Sequence, residues 1–323
     1  MKFHTSEAPL GPAPEEQARL SAGSGALCGA SGPPEELFIY YLRGLVDDRA
    51  LRQRDDFLGN WLEGKSSFLF FSRPVSRAVS ELLRSQPGLE LIQEHRVPYT
   101  DWLGDEVTTF REGSIRVVPV WEEPGTDPET TDILLNPGVV FGAGNHPTTR
   151  GCLREMERVF AQEKVETVLD LGSGTGLLSL AAAGMGASRV VGMDSNPLAA
   201  RTMRGNILQN GLRDRVLAAC GYAKGVVAER ADLVLANIHY DAMREIVSGS
   251  DILRAGRAIL AGLFPTQAEE IAAMLRDRGM RVSVEPGLEW EWPVVSAVGA
   301  KPVAAAEHHD RAGIIADKDG AFP

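Results

Sequence analysis

The chain has 323 residues, 44% of them hydrophobic, with a formal net charge of −11. That is enough apolar content for a full core in two domains, and the acidic balance excludes broad sequence-independent binding to nucleic-acid phosphates while suiting a basic protein partner. Three cysteines (Cys28, Cys152, Cys220) lack metal-ligand or disulfide spacing, no signal-peptide core follows Met1 and no apolar run approaches ~18 residues, so no metal, no membrane span and a cytoplasmic location are expected.

Residues 1–35, dense in Gly, Ala, Pro, Ser and Glu, predict a disordered tail. Leu37–Leu42 reads as a strand, and Phe57–Phe71 as a hairpin turning at Glu63-Gly-Lys-Ser66. Val75, Val79, Leu82 and Leu83 form a helical stripe after Pro74, and Leu89–Gln93 returns as a strand. A small α+β domain over 36–124 follows, ending in the strand around Ser114–Glu123. The polar stretch Gly125–Asp132 predicts a connection, so 125–164 is assigned to that connection plus a glycine-rich loop, expected to cover the cofactor, and the helix after it. That helix starts near Thr148, with Thr148 or Thr149 as its cap.

From Val165 an α/β pattern repeats, which assigns 165–300 to a mostly parallel, Rossmann-like sheet. The expected strands are Thr167–Leu171, Arg189–Asp194, Val216–Cys220, Asp232–Asn237 and Ala258–Leu263, then an antiparallel pair at Arg281–Glu285 and Val294–Val298. Helices are expected over Pro197–Asn210, Asp241–Leu253 and Thr266–Arg278, and residues 301–323 as a second disordered tail.

The chemistry centres on Thr167-Val-Leu-Asp-Leu-Gly-Ser-Gly-Thr-Gly176, a strand running through a glycine turn into a helix. Gly172-x-Gly174-x-Gly176 differs from the G-x-G-x-x-G that seats a dinucleotide pyrophosphate, and no phosphate-binding lysine follows it. Asp194, 18 residues after Gly176, ends the next strand, where an acid can accept from both ribose hydroxyls. A nucleoside without phosphates fits, and S-adenosylmethionine is one. Asn237 ends a third strand on the same rim and can hold an amine N–H with its carbonyl oxygen. His146 and His239 also fall near the rim; each is either a base or an ordinary loop side chain, and no general base is assigned. Deprotonating a lysine at neutral pH costs about 4.6 kcal/mol, which desolvation beside a sulfonium lowers.

The pairing of Pro137-Gly-Val-Val-Phe-Gly-Ala-Gly-Asn-His-Pro-Thr-Thr149 with Val168–Gly176 resembles the ribosomal protein L11 methyltransferases. So do Gly192–Pro197 and Val234–Asn237, and the resemblance runs from about Arg116 to Val298. It implies a class I S-adenosylmethionine-dependent protein N-methyltransferase whose N-terminal domain recognises a ribosomal protein, and whose targets are lysine side chains and an N-terminal α-amine. By the same resemblance Thr149, Gly172, Asp194 and Asn237 hold the cofactor and Thr148 sits close to the transferring methyl; Gly174, in the same turn, is read as a further cofactor contact, and Asn237 and Thr148 as the catalytic residues. The chain departs from the family at Gly142-Ala-Gly-Asn145, which lacks a usual hydroxyl, and at Ile238-His-Tyr240. Other readings are methyl transfer to another protein, a small molecule or RNA, and a non-catalytic cofactor-binding protein. NAD-dependent oxidoreduction would need the missing glycine spacing.

Overall fold

The computed structural model describes residues 32–104, 106–223, 231–249, 255–287 and 291–299. The two tails expected from composition fall outside the described residues, apart from 32–35, as do Cys28 and the end of the helix expected to reach Leu253.

Four antiparallel strands build the first sheet: β1 (Glu36–Arg43), β2 (Phe57–Glu63), β3 (Ser66–Phe71) and β4 (Glu90–Pro98), in the order β2-β3-β1-β4. Side chains alternate across a strand, so β1 sends Tyr40 and Leu42 to one face and Leu37 and Ile39 to the other. The first face packs with Leu69 and Phe71 under α1 (Ser76–Ser85), against Val75, Val79 and Leu82. The second face, with Leu58 and Phe70, is closed by Val139, Val140, Leu198 and Ala199 from later in the chain. A short helix α2 (Tyr99–Leu103) follows β4 directly.

The connection expected over Gly125–Asp132 is shorter than its composition suggests. Its end enters a strand, β7 (Thr131–Leu135), which pairs in parallel with β6 (Ile115–Pro119), while β5 (Phe110–Glu112) pairs on the other side of β6. Arg116 and Asp132 face each other across that pair in a two-bond ion pair, at 2.7 Å for each bond. Ile115, Val117, Ile133 and Leu135 belong to the same core as the large sheet's helices, so burial fixes a strand that polar neighbours disguise in the sequence.

The large sheet has seven strands: β8 (Thr167–Leu171), β9 (Arg189–Asp194), β10 (Val216–Cys220), β11 (Leu233–Asn237), β12 (Arg257–Ala261), β13 (Arg281–Glu285) and β14 (Val294–Val298). Their order is β10-β9-β8-β11-β12-β14-β13, with β14 running opposite to the other six. Helices α3 (Pro147–Gln162), α4 (Leu177–Gly184) and α5 (Pro197–Gln209) cover one face; α6 (Tyr240–Ser248) and α7 (Pro265–Arg276) cover the other. Burial on both faces explains the unbroken apolar run of β11, where Leu233 to Ala236 are fully buried. The strand order reverses between β8 and β11, and ligands bind beyond the carboxyl ends at such a reversal. Register places Leu171 opposite Met193 on one side and Ala236 on the other, so Gly172, Asp194 and Asn237 emerge on one rim. Among the described residues no helix is long and apolar enough to cross a membrane.

Candidate functional site

The glycine turn opens at the carboxyl end of β8. Gly172 and Gly174 have φ of 74° and 54°, left-handed values that cost an L side chain roughly 1–2 kcal/mol. Five successive amides then find partners inside the protein. Gly172 and Ser173 donate to the Met193 carbonyl at 2.8 and 3.0 Å, Gly174 to Asp194 Oδ2 at 3.0 Å, Thr175 to the Phe141 carbonyl at 3.2 Å and Gly176 to the Ser173 carbonyl at 2.7 Å. Phosphate sites are built from amides left free at such turns, and residues 172–176 leave none.

Two carboxylates flank the turn. Asp194 accepts from Gly174 N through one oxygen and from Asn196 N, at 2.9 Å, through the other. Burial raises its pKa, and those two bonds oppose the rise. Each oxygen keeps a further lone pair for a hydroxyl donor. Asp170 is 1% exposed and accepts the Ser179 hydroxyl at 2.6 Å. Burial pushes its carboxyl up to about 6, against the Ser179 hydroxyl and amide and with help from the Asp194 charge.

Asn237 closes β11, and its Nδ2 donates to Thr149 Oγ1 at 3.2 Å. That bond fixes the amide so that the carbonyl oxygen is the end left to accept. The cap of α3 corrects the sequence expectation: His146 takes the role assigned to Thr148 or Thr149. Its Nδ1 accepts Thr148 N at 3.3 Å and lies 2.8 Å from Thr148 Oγ1, with Pro147 at the first helical position. The His146 ring also meets the Trp292 ring edge-on at 4.8 Å, so this histidine orients the loop and the first turn of α3. Thr148 and Thr149 stay buried, at 3% and 4% exposure. His239 is exposed at the start of α6.

Residues 172–175, Asp170, Asp194, Asn237, both histidines and both threonines line one cavity of about 780 Å³, inside the roughly 300–1,000 Å³ span of small-molecule sites. Thr148, Thr149, Gly172, Gly174, Asp194 and Asn237, the residues singled out from sequence, are all on its wall. Sequence reading missed Trp61 from β2 and Tyr222 beyond β10, and had Phe141 only as part of the covering loop. Trp61 and Phe141 meet edge-on at 5.8 Å, and Tyr222 is 80% exposed. An aromatic in a hairpin carries no local mark distinguishing cavity wall from core, so Trp61 had no signal to find. The exposed Tyr222 follows a weak edge strand and had none either. Among the described residues no three His, Cys, Asp or Glu side chains cluster as a metal site.

The model of the family described as ribosomal protein L11 methyltransferase matches residues 83–297. A ribosomal protein L11 methyltransferase of Pectobacterium atrosepticum is 30% identical over 240 residues, covering 71% of this chain and 80% of that one. The corresponding protein of Chromohalobacter salexigens is 34% identical over 182 residues, and the chain spans 60% of its length. In structure, the ribosomal protein L11 methylase of Lactobacillus delbrueckii subsp. bulgaricus superposes with a TM-score of 0.52 at 24% identity, over 59% of this chain and 97% of that one. That likeness establishes the class I methyltransferase fold; the smaller antiparallel sheet precedes it in the chain. Fold, strand order and sequence match agree: the chain belongs to the ribosomal protein L11 methyltransferase family.

Proposed function

We propose that the chain transfers methyl groups from S-adenosylmethionine to amino groups, lysine side chains or an N-terminal α-amine, of a ribosomal protein, the L11 protein for which its relatives are named. The observation that carries this reading is the charge character of the cavity. Residues 172–176 offer no free amide to a phosphate, and among the described residues neither the buried Asp170 nor the half-buried Asp194 forms an ion pair with a cation. A cationic nucleoside with two ribose hydroxyls suits such a wall; a pyrophosphate does not. When bound, S-adenosylmethionine supplies the methyl group as an electrophile on a sulfonium.

The chain's own residues do the rest by position. Asp194 accepts the ribose hydroxyls with the lone pairs its backbone bonds leave over. Gly172 and Gly174 allow close approach of the ligand. Thr149 orients Asn237, whose carbonyl oxygen accepts an N–H of the incoming amine and aims its lone pair along the transfer line. Thr148, held by His146, packs at the same end of the cavity. Proximity and alignment carry this reaction, and no side chain is assigned as base. The net charge of −11 favours a basic acceptor.

The test is labelled methyl transfer onto unmodified ribosomal proteins, read by intact-mass spectrometry. Mass gain on L11 in steps of one methyl, abolished by Asp194→Ala, is the expected result. Binding of S-adenosylhomocysteine (the demethylated cofactor) without transfer to L11 would overturn the substrate assignment and keep the cofactor assignment.

A further inference from the structure

The loop between β7 and α3 lies across the glycine turn, and a short segment from the N-terminal side of the chain holds it there. Tyr99 Oη donates to the Gly138 carbonyl at 2.7 Å and Trp102 Nε1 to the Val139 carbonyl at 3.0 Å. At the loop's far end Asn145 Nδ2 donates to the Glu106 carbonyl. All three anchors therefore join the loop to α2 or the chain just after it. Asn145 occupies a position at which the chain departs from its family's usual pattern.

Between these anchors the loop presses on the turn. The Phe141 carbonyl accepts Thr175 N at 3.2 Å, and the Gly142 carbonyl accepts Thr175 Oγ1 at 2.7 Å. The fit is close enough that a Cβ on Gly174 would sit 2.4 Å from the Phe141 oxygen. Gly138 and Val139 are buried, so their carbonyls cannot turn to water while the loop stays down. A buried acceptor that loses its donor carries the full desolvation cost, and the loop recovers that cost by lifting.

We propose that Tyr99 and Trp102 are positioning residues for the cofactor site: they latch the 138–145 loop onto the turn, so the N-terminal region completes the site as well as presenting an acceptor. This rests on the reading that the cavity takes S-adenosylmethionine. The latch acts through Thr175 and the loop backbone; neither aromatic touches the nucleoside. Trp61, packed on Phe141, adds apolar contact to the same closed position.

The test is calorimetric titration of the full chain with S-adenosylhomocysteine, alongside amide hydrogen exchange of residues 138–145 in the free chain. The double variant Tyr99→Phe/Trp102→Phe keeps an aromatic ring at each position, a smaller one at 102, and removes both donors. It is expected to bind about tenfold more weakly, with faster exchange in the loop, while its thermal midpoint stays within a few degrees of wild type. Tyr99→Phe alone should weaken binding about two- to fivefold and serves if the double variant does not fold. Arg77→Ala, on the exposed face of α1, should change neither reading. Unchanged affinity in the variants beside a wild type that binds overturns the latch, even if the midpoint falls. A wild type that does not bind overturns the cofactor reading and the latch together.

Discussion

Asp170 shows how one carboxylate ties pH to stability. Its side chain is 1% exposed, and burial holds its pKa at about 6 against an ordinary 3.8. The folded chain thus binds this proton more tightly than the unfolded chain does. The charged form costs stability above a pH of about 6, and the cost fades as pH falls toward about 4. Relative to Asp170→Asn, the wild type should gain on the order of 1–3 kcal/mol between pH of about 7.5 and 4.5, measured by urea unfolding at both. A parallel pH course in the two proteins would remove the assignment. His146 makes a related point about single residues. It caps α3, although Ser, Thr, Asp and Asn are the usual caps, so two adjacent threonines drew the sequence expectation away from it.

At the scale of elements, the turn and its covering loop form one fitted surface. Gly174→Ala would place a methyl 2.4 Å from a backbone oxygen while holding a left-handed φ of 54°. Strain of roughly 1–2 kcal/mol and a displaced loop should follow, lowering S-adenosylhomocysteine affinity about tenfold or more while the fold persists by circular dichroism. Native affinity in that variant would mean that the loop does not close on the turn. The turn was legible because its flanking signals are local. The strands Thr167–Leu171, Arg189–Asp194, Arg281–Glu285 and Val294–Val298 stand where β-forming runs bounded by turn residues placed them. Strand Thr131–Leu135 and helix Tyr99–Leu103 escaped, because each owes its form to partners elsewhere in the chain. The aromatic anchors escaped for the same reason: Trp102 meets its carbonyl partner 37 residues away.

Across the whole molecule, the small sheet and the methyltransferase unit share a core. Leu198 of α5 is 6% exposed and fills the space above Gly59 of β2, where a Cβ would meet it at 2.6 Å. It joins Leu37, Leu58 and Phe70 from one unit to Val139 and Val140 from the other. Leu198→Ala should cost about 2–5 kcal/mol, and calorimetry should show one unfolding transition for the wild type and two for the variant, as the small sheet melts early. A single transition at the wild-type temperature would count against a shared core. The satisfied amides of residues 172–176 bear on the molecule's surroundings as well. Adenine nucleotides and dinucleotides crowd any metabolising compartment, and each would bring phosphates to a turn that has no donor left for them and two acids beside it. On the proposed function, occupancy of the cavity would follow the ratio of fresh to spent methyl donor rather than the level of nucleotide phosphates.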